Sequence, residues 1–209
     1  MAYFWRDWLT LFRHGFGKGL KTQEGKIFWY LTVASIPGTI AGALLKQKTA
    51  TTFRSPFIMG TMLIVLGIIL YAADYLTTEH QDNKAISLGR SLIIGISQVL
   101  AVIPGVSRSG IMMSSGLFLG LTREDASRFS FLLSTPIIAE TGFQKLRLLA
   151  NGPIDLPFLV GIITSTLMGF LVIDLLLRWL RKNSFLPFVG YLLILGGSVM
   201  GLSLMFNQF

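Results

Sequence analysis

Residues 91–122 read SLIIGISQVLAVIPGVSRSGIMMSSGLFLGLT, an apolar run held between Arg90 and Arg123 with a single charge, Arg108, near its middle. A helix needs about 20 apolar residues to cross the hydrocarbon layer of a bilayer. Thirty-two residues are too many for one crossing and too few for two. Pro104-Gly105 also interrupts any helix at the centre. The spacing therefore predicts a re-entrant hairpin over about 91–122, with half-helices at 91–107 and 109–122 meeting near mid-membrane. Irregular backbone at that depth is tolerated only where protein or water covers it, which predicts a cavity at the tip.

Outward from this stretch, the chain is built of further apolar runs. Ile27–Leu45, Phe57–Ala73, Leu156–Ile173 and Ser184–Phe209 carry no charge and are of spanning length. Phe129–Gln144 is a fifth candidate, with Glu140 inside it. Pro37, Pro136 and Pro187 fall within or at the starts of these runs, where a kink is expected because packed neighbours can take up the freed carbonyls. No linker, low-complexity stretch or second copy of the hairpin is visible. The expected fold is all-α: one polytopic integral membrane domain over 1–209, with about five spanning helices and one re-entrant hairpin.

Composition agrees, since 52% of the 209 residues are hydrophobic, 13% are charged and the mean hydropathy is +0.65. Cysteine is absent, so thiolate and disulfide chemistry are excluded, and two histidines are too few for a histidine metal cage. The net charge of +8 sits in loops between apolar runs. It reads as membrane topology and contact with anionic headgroups rather than nucleic acid. If the loops 1–26, 74–90, 122–128 and 178–183 face the cytoplasm, they hold twelve of the 18 lysines and arginines. Lys46, Lys48, Arg54, Lys145 and Arg147 then lie on the opposite side with the carboxyl end.

The tip carries the chemistry. An arginine at the bilayer centre costs at least about 2.5 kcal/mol, so Arg108 requires an anion or water. One solution is a structural pairing with an acid such as Glu140. The other is a ligand: Gly105 and Gly110 allow close approach of backbone, and a helix starting near Ser109 offers free N–H groups. Ser107 and Ser109 add hydroxyl donors, and the guanidinium can hold two phosphate oxygens at once. Together these residues form a cradle for a phosphate-type oxyanion.

The run Gln98 to Gly110, followed by Leu119-Gly120-Leu121-Thr122-Arg123 and by Phe129 to Pro136, resembles a signature region of the undecaprenyl-diphosphate phosphatases, the bacitracin-resistance family. The resemblance extends less sharply from Phe4-Trp5-Arg6 to Phe185-Leu186-Pro187-Phe188. It implies a multi-pass phosphatase of the bacterial plasma membrane with its site facing the periplasm or outside. Such an enzyme removes the terminal phosphate of undecaprenyl diphosphate, recycling the carrier of peptidoglycan synthesis. On this resemblance Ser107 and Arg108 are the catalytic, diphosphate-contacting pair, with Gly105, Ser109 and Gly110 supporting the phosphate. Gln98 falls where the family places a polar residue facing the site; a glutamine serving helix packing is the alternative. A divalent cation, Mg or Ca, is implied as cofactor. The expected partners are a polyprenyl diphosphate and membrane lipids, with a homodimer as a further option and no nucleic acid.

The chain departs from the family pattern in two places. Family members carry two glutamates spaced four apart and a Ser-Ser-Thr-Gly-His string in another hairpin, and neither occurs here, so the metal-binding carboxylates have no counterpart and the metal ligands are unknown. His14 and His80 follow no such string. The resemblance also starts where the family's third membrane element would end. These features lead to the expectation of an amino-terminally shortened domain, inactive on its own. Glu140 occupies a position usually small or apolar in the family. A lipid-phosphate transporter or flippase is the competing function, because broken half-helices also mark secondary transporters.

Overall fold

Short polar residues placed just ahead of apolar runs decide where the helices begin. A computed structural model describes residues 3–52, 55–77, 86–149 and 156–206. Eight helices follow one another: α1 (Trp5–Gly17), α2 (Gln23–Thr52), α3 (Pro56–Thr77), α4 (Leu88–Ser97), α5 (Arg108–Phe118), α6 (Arg123–Leu149), α7 (Leu156–Leu180) and α8 (Leu186–Met205). The Thr22 hydroxyl accepts the Gly25 N–H at 3.2 Å ahead of α2, and Thr122 accepts the Asp125 N–H at 3.1 Å ahead of α6. Ser87 and Ser107 cap α4 and α5 in the same manner. No strand occurs among the described residues.

Among the described residues four helices are long and apolar enough to cross a bilayer: α2 through Leu45, α3, α7 and α8. The chain is an all-α, multi-pass membrane protein. The fifth expected span lies within α6, which is longer than Phe129–Gln144 because Thr122 starts it and it continues to Leu149. Its apolarity falls short of a crossing helix on composition. Arg128, Glu140, Gln144 and Lys145 break its apolar run, and a further polar stripe of Ser127, Ser130 and Ser134 is buried against protein. Ser130 and Ser134 donate their hydroxyls to the carbonyls of Ala126 and Ser130, at 2.7 and 2.9 Å. Pro37 and Pro136 stand inside α2 and α6 without ending either helix. Pro187 sits in the first turn of α8, where its missing N–H costs nothing.

Over the expected hairpin two short helices meet at a turn, with bounds other than 91–122. Its first arm is α4 and a 3-10 turn over Gln98–Val102, its tip is 103–107, and its second arm is α5. At 1.5 Å per residue α5 is about 16 Å long, roughly half the hydrocarbon layer. The arms lie between α2, α3 and α6. On one side Gly95 is pressed against Ala34, so that an added Cβ would lie 2.8 Å from the Ala34 Cα. On the other, α3 and α8 form the tightest helix pair. There Gly60 and Gly196 face one another, and a Cβ on either would meet the other's carbonyl oxygen at 2.8 Å.

The base of the hairpin is tied by a buried acid. Asp74, near the end of α3, accepts the Arg123 Nε–H at 2.5 Å and the Phe185 N–H at 3.0 Å. One carboxylate thereby joins the end of α3 to the starts of α6 and α8. In the sequence Asp74 served only as the boundary of an apolar run, and nothing local marks its partners. Lys46, Lys48 and Arg147 have side chains outside the described residues, as are Arg54 and His80 entirely, so the topology argument from them has no structural counterpart.

Candidate active site

A type of backbone open almost only to glycine makes the tip. Gly105 has φ +95°, and a Cβ there would sit 2.5 Å from the Met59 carbonyl oxygen of α3. Gly110 is similarly close, with Leu66 Cδ2 3.1 Å from the position of a Cβ. The absence of side chains at both glycines is thus used for docking the tip onto α3. From Ser107 the chain turns directly into α5, one residue before the expected start at Ser109.

Ser107, Arg108 and Ser109 are brought together at this helix start. The Ser107 Oγ accepts the Gly110 N–H at 3.3 Å and lies 3.4 Å from the Ser109 Oγ. The N–H groups of Arg108 and Ser109 belong to the first turn, where no intrahelical acceptor exists, and the helix end is electropositive. Arg108 forms no ion pair among the described residues. It opens instead into a cavity of about 390 Å³ between the tip, α2 and α6. Thr39 of α2 and Glu140, Thr141 and Gln144 of α6 share that cavity. Glu140 is therefore a neighbour across the cavity and not the structural partner of Arg108; its Oε1 accepts the Gln144 Nε2–H at 3.4 Å.

Gln98 lies behind the cavity wall. Its Nε2 donates to the Ala34 carbonyl at 2.9 Å, and its Oε1 would come within 2.6 Å of a Cβ on Gly38, which itself lines the cavity. That Oε1 is buried without a hydrogen-bond partner in the protein. One amide N–H is committed to α2, so the hydrogen bond seen is the packing one.

The matched family is described as Bacitracin resistance protein BacA, over residues 1–198. The chain belongs to this family. The undecaprenyl-diphosphatase of Pelotomaculum thermopropionicum is 45% identical over 205 residues, covering 97% of this chain and 76% of the relative. That of Moorella thermoacetica is 45% identical over 199 residues, covering 95% and 76%. That of Desulforudis audaxviator is 43% identical over 205 residues, covering 98% and 78%. In this BacA chain the match runs through the hairpin tip and α6, both of which line the Arg108 cavity.

The cation implied by the BacA resemblance can be tested against the donors present. Hard divalent cations take six or more oxygen ligands, and protein sites commonly contribute at least one or two carboxylates. Among the described residues Glu140 is the one carboxylate lining the Arg108 cavity. No group of three or more His, Asp or Glu side chains gathers among the described residues. The donors among the described residues are too few to hold a divalent cation by themselves, and phosphate oxygens of a bound substrate would have to complete its shell.

Proposed function

We propose that the protein is an undecaprenyl-diphosphatase, hydrolysing undecaprenyl diphosphate to undecaprenyl phosphate and inorganic phosphate in the recycling of the cell-wall lipid carrier. The observation that carries this reading is Arg108. It is a guanidinium without a carboxylate partner among the described residues, set at a helix start in a cavity beside the spanning helix α2 and the long helix α6. A diphosphate headgroup supplies the missing negative charge, and its polyprenyl chain has lipid on every side of the bundle.

In the reaction the bond between the terminal phosphorus and the bridging oxygen breaks and water supplies the new P–O bond. Charge spreads over the phosphoryl oxygens in a loose transition state. The forked guanidinium of Arg108 binds two of those oxygens, and the N–H groups of Arg108 and Ser109 meet a third with the helix dipole behind them. The Ser109 hydroxyl adds a donor, while the Ser107 oxygen holds the turn in shape. The site belongs to the bacterial plasma membrane, opening to its outer side. Dependence on Mg or Ca and a homodimeric state form part of the proposal on the family resemblance alone.

Release of inorganic phosphate from undecaprenyl diphosphate by the reconstituted protein tests it. A low rate is expected from these 209 residues, because a single carboxylate lines the cavity. Arg108→Ala should bring that rate to the vesicle background and weaken binding of the diphosphate by tenfold or more, on the order of a charge-assisted hydrogen bond. Movement of the lipid across the bilayer with no phosphate released would favour a flippase instead.

A further inference from the structure

The end of the molecule away from the hairpin tip holds a second charged cavity. It encloses about 580 Å³ between α1, the start of α6 and the end of α7. Arg128 lies twelve residues before Glu140 on the same helix, about 18 Å along its axis, so this cavity is separate from the one at Arg108.

Four arginines reach it: Arg6, Arg128, Arg178 and Arg181. Three are matched one to one by acids. Arg128 pairs with Asp7, Arg178 with Asp174 at 2.8 Å, and Arg181 with Glu124 at 2.8 Å. Tyr3 donates its hydroxyl to the Asp174 Oδ1 at 3.1 Å, so that acid is occupied twice. Arg6 is left over. It has no carboxylate partner among the described residues, and its guanidinium lies over the Trp5 ring, 5.2 Å from the centroid. The wall of this cavity therefore carries one positive charge more than it neutralises, while Arg6 also borders an adjoining cavity that holds Glu24 and Asp125, neither of them bonded to it.

A second observation tells what lies beside it. Trp5, Leu9, Phe12 and Phe16 recur at helical spacing along one side of α1, and all four are exposed, by 47 to 71%. A short helix with an aromatic and aliphatic stripe bordered by arginine is suited to lying in the headgroup layer with the stripe among acyl chains. Arg6 stands next to the stripe in the helical turn, at the edge where phosphates are found.

We propose that this cavity binds the phosphate of an anionic lipid headgroup, with Arg6 gripping the phosphate and the α1 stripe seated in the acyl layer beside it. The proposal is independent of the phosphatase reading, since it uses none of the residues at the hairpin tip. Inorganic phosphate presents the same oxygens, so the test separates the two sources.

The purified chain is equilibrated in micelles with a mixture of phosphatidylglycerol and phosphatidylcholine, and lipid retained is counted by native mass spectrometry. Retention of one phosphatidylglycerol in preference to phosphatidylcholine is expected. Arg6→Gln should weaken that retention about tenfold while the thermal melt is unchanged, because Arg6 is an exposed residue outside the three ion pairs. Lys182→Gln, a change of equal charge outside the cavity, should leave retention as in wild type. Displacement of the lipid by added inorganic phosphate, lost in Arg6→Gln, would identify free phosphate as a second ligand of the same site; resistance to it would leave the lipid as sole ligand. Equal retention of both lipids, wild-type retention by Arg6→Gln, or an equal loss in Lys182→Gln would overturn the proposal.

Discussion

Arg108 and Ser107 divide the work of the tip between charge and shape. The lysine variant separates the two properties of the guanidinium, since Arg108→Lys keeps the charge and loses the planar fork. Phosphate release should fall by about a hundredfold, on the scale of losing a preorganised transition-state donor. Unchanged turnover would show that a point charge is sufficient. Ser107→Ala removes a helix cap worth roughly 1 kcal/mol. A small drop in melting temperature is expected, with a loss of turnover larger than the cap alone explains if the hydroxyl also touches substrate. Wild-type rates would confine Ser107 to holding the turn. Both residues were legible from sequence because a charge inside an apolar run has few explanations. The state of Gln98 was not, because the Ala34 carbonyl that takes its amide lies 64 residues away.

At the scale of elements, the hairpin could be read from run length and its broken centre, while its exact bounds could not. Charges were taken as helix boundaries, yet Arg90 lies in the first turn of α4 because Ser87, three residues earlier, supplies the cap. The same holds at α6, where the Thr122 hydroxyl accepts the Asp125 N–H and donates to Asp125 Oδ2 at 2.8 Å. That Thr-x-x-Asp pattern was visible and could have placed the helix start. Docking of the tip on α3 has no such signature. It can be tested with Gly105→Ala, which meets both an unfavourable φ of +95° and the Met59 carbonyl. Strain of this kind costs about 1–3 kcal/mol, so the variant should melt earlier and bind the diphosphate more weakly. A variant with an unaltered melt and affinity would mean that the tip is not held against α3.

Across the whole molecule, an open phosphate-type cavity and a closely paired polar end are set apart along the helix axes. The four spanning segments and their apolarity were plain in the sequence. The polar end was not, because Arg128–Asp7 and Arg181–Glu124 join residues 121 and 57 positions apart, and each charge alone looks like an ordinary loop residue. Asp74 is the most buried member of this end, and removing one partner of a buried pair typically costs about 3–5 kcal/mol. Asp74→Ala should lower the melting temperature in detergent more than Asp7→Ala, whose pair is far more exposed. Equal shifts for the two variants would deny Asp74 its special place.

The same acid imposes an order on biogenesis. Asp74 leaves the ribosome 49 residues before Arg123 and 111 before the Phe185 amide. Until both have been made, neither of these two hydrogen bonds can form. The root of the hairpin is thus closed by a contact from beyond both of its arms, so a chain stopped before α8 would carry the arms without their full fastening.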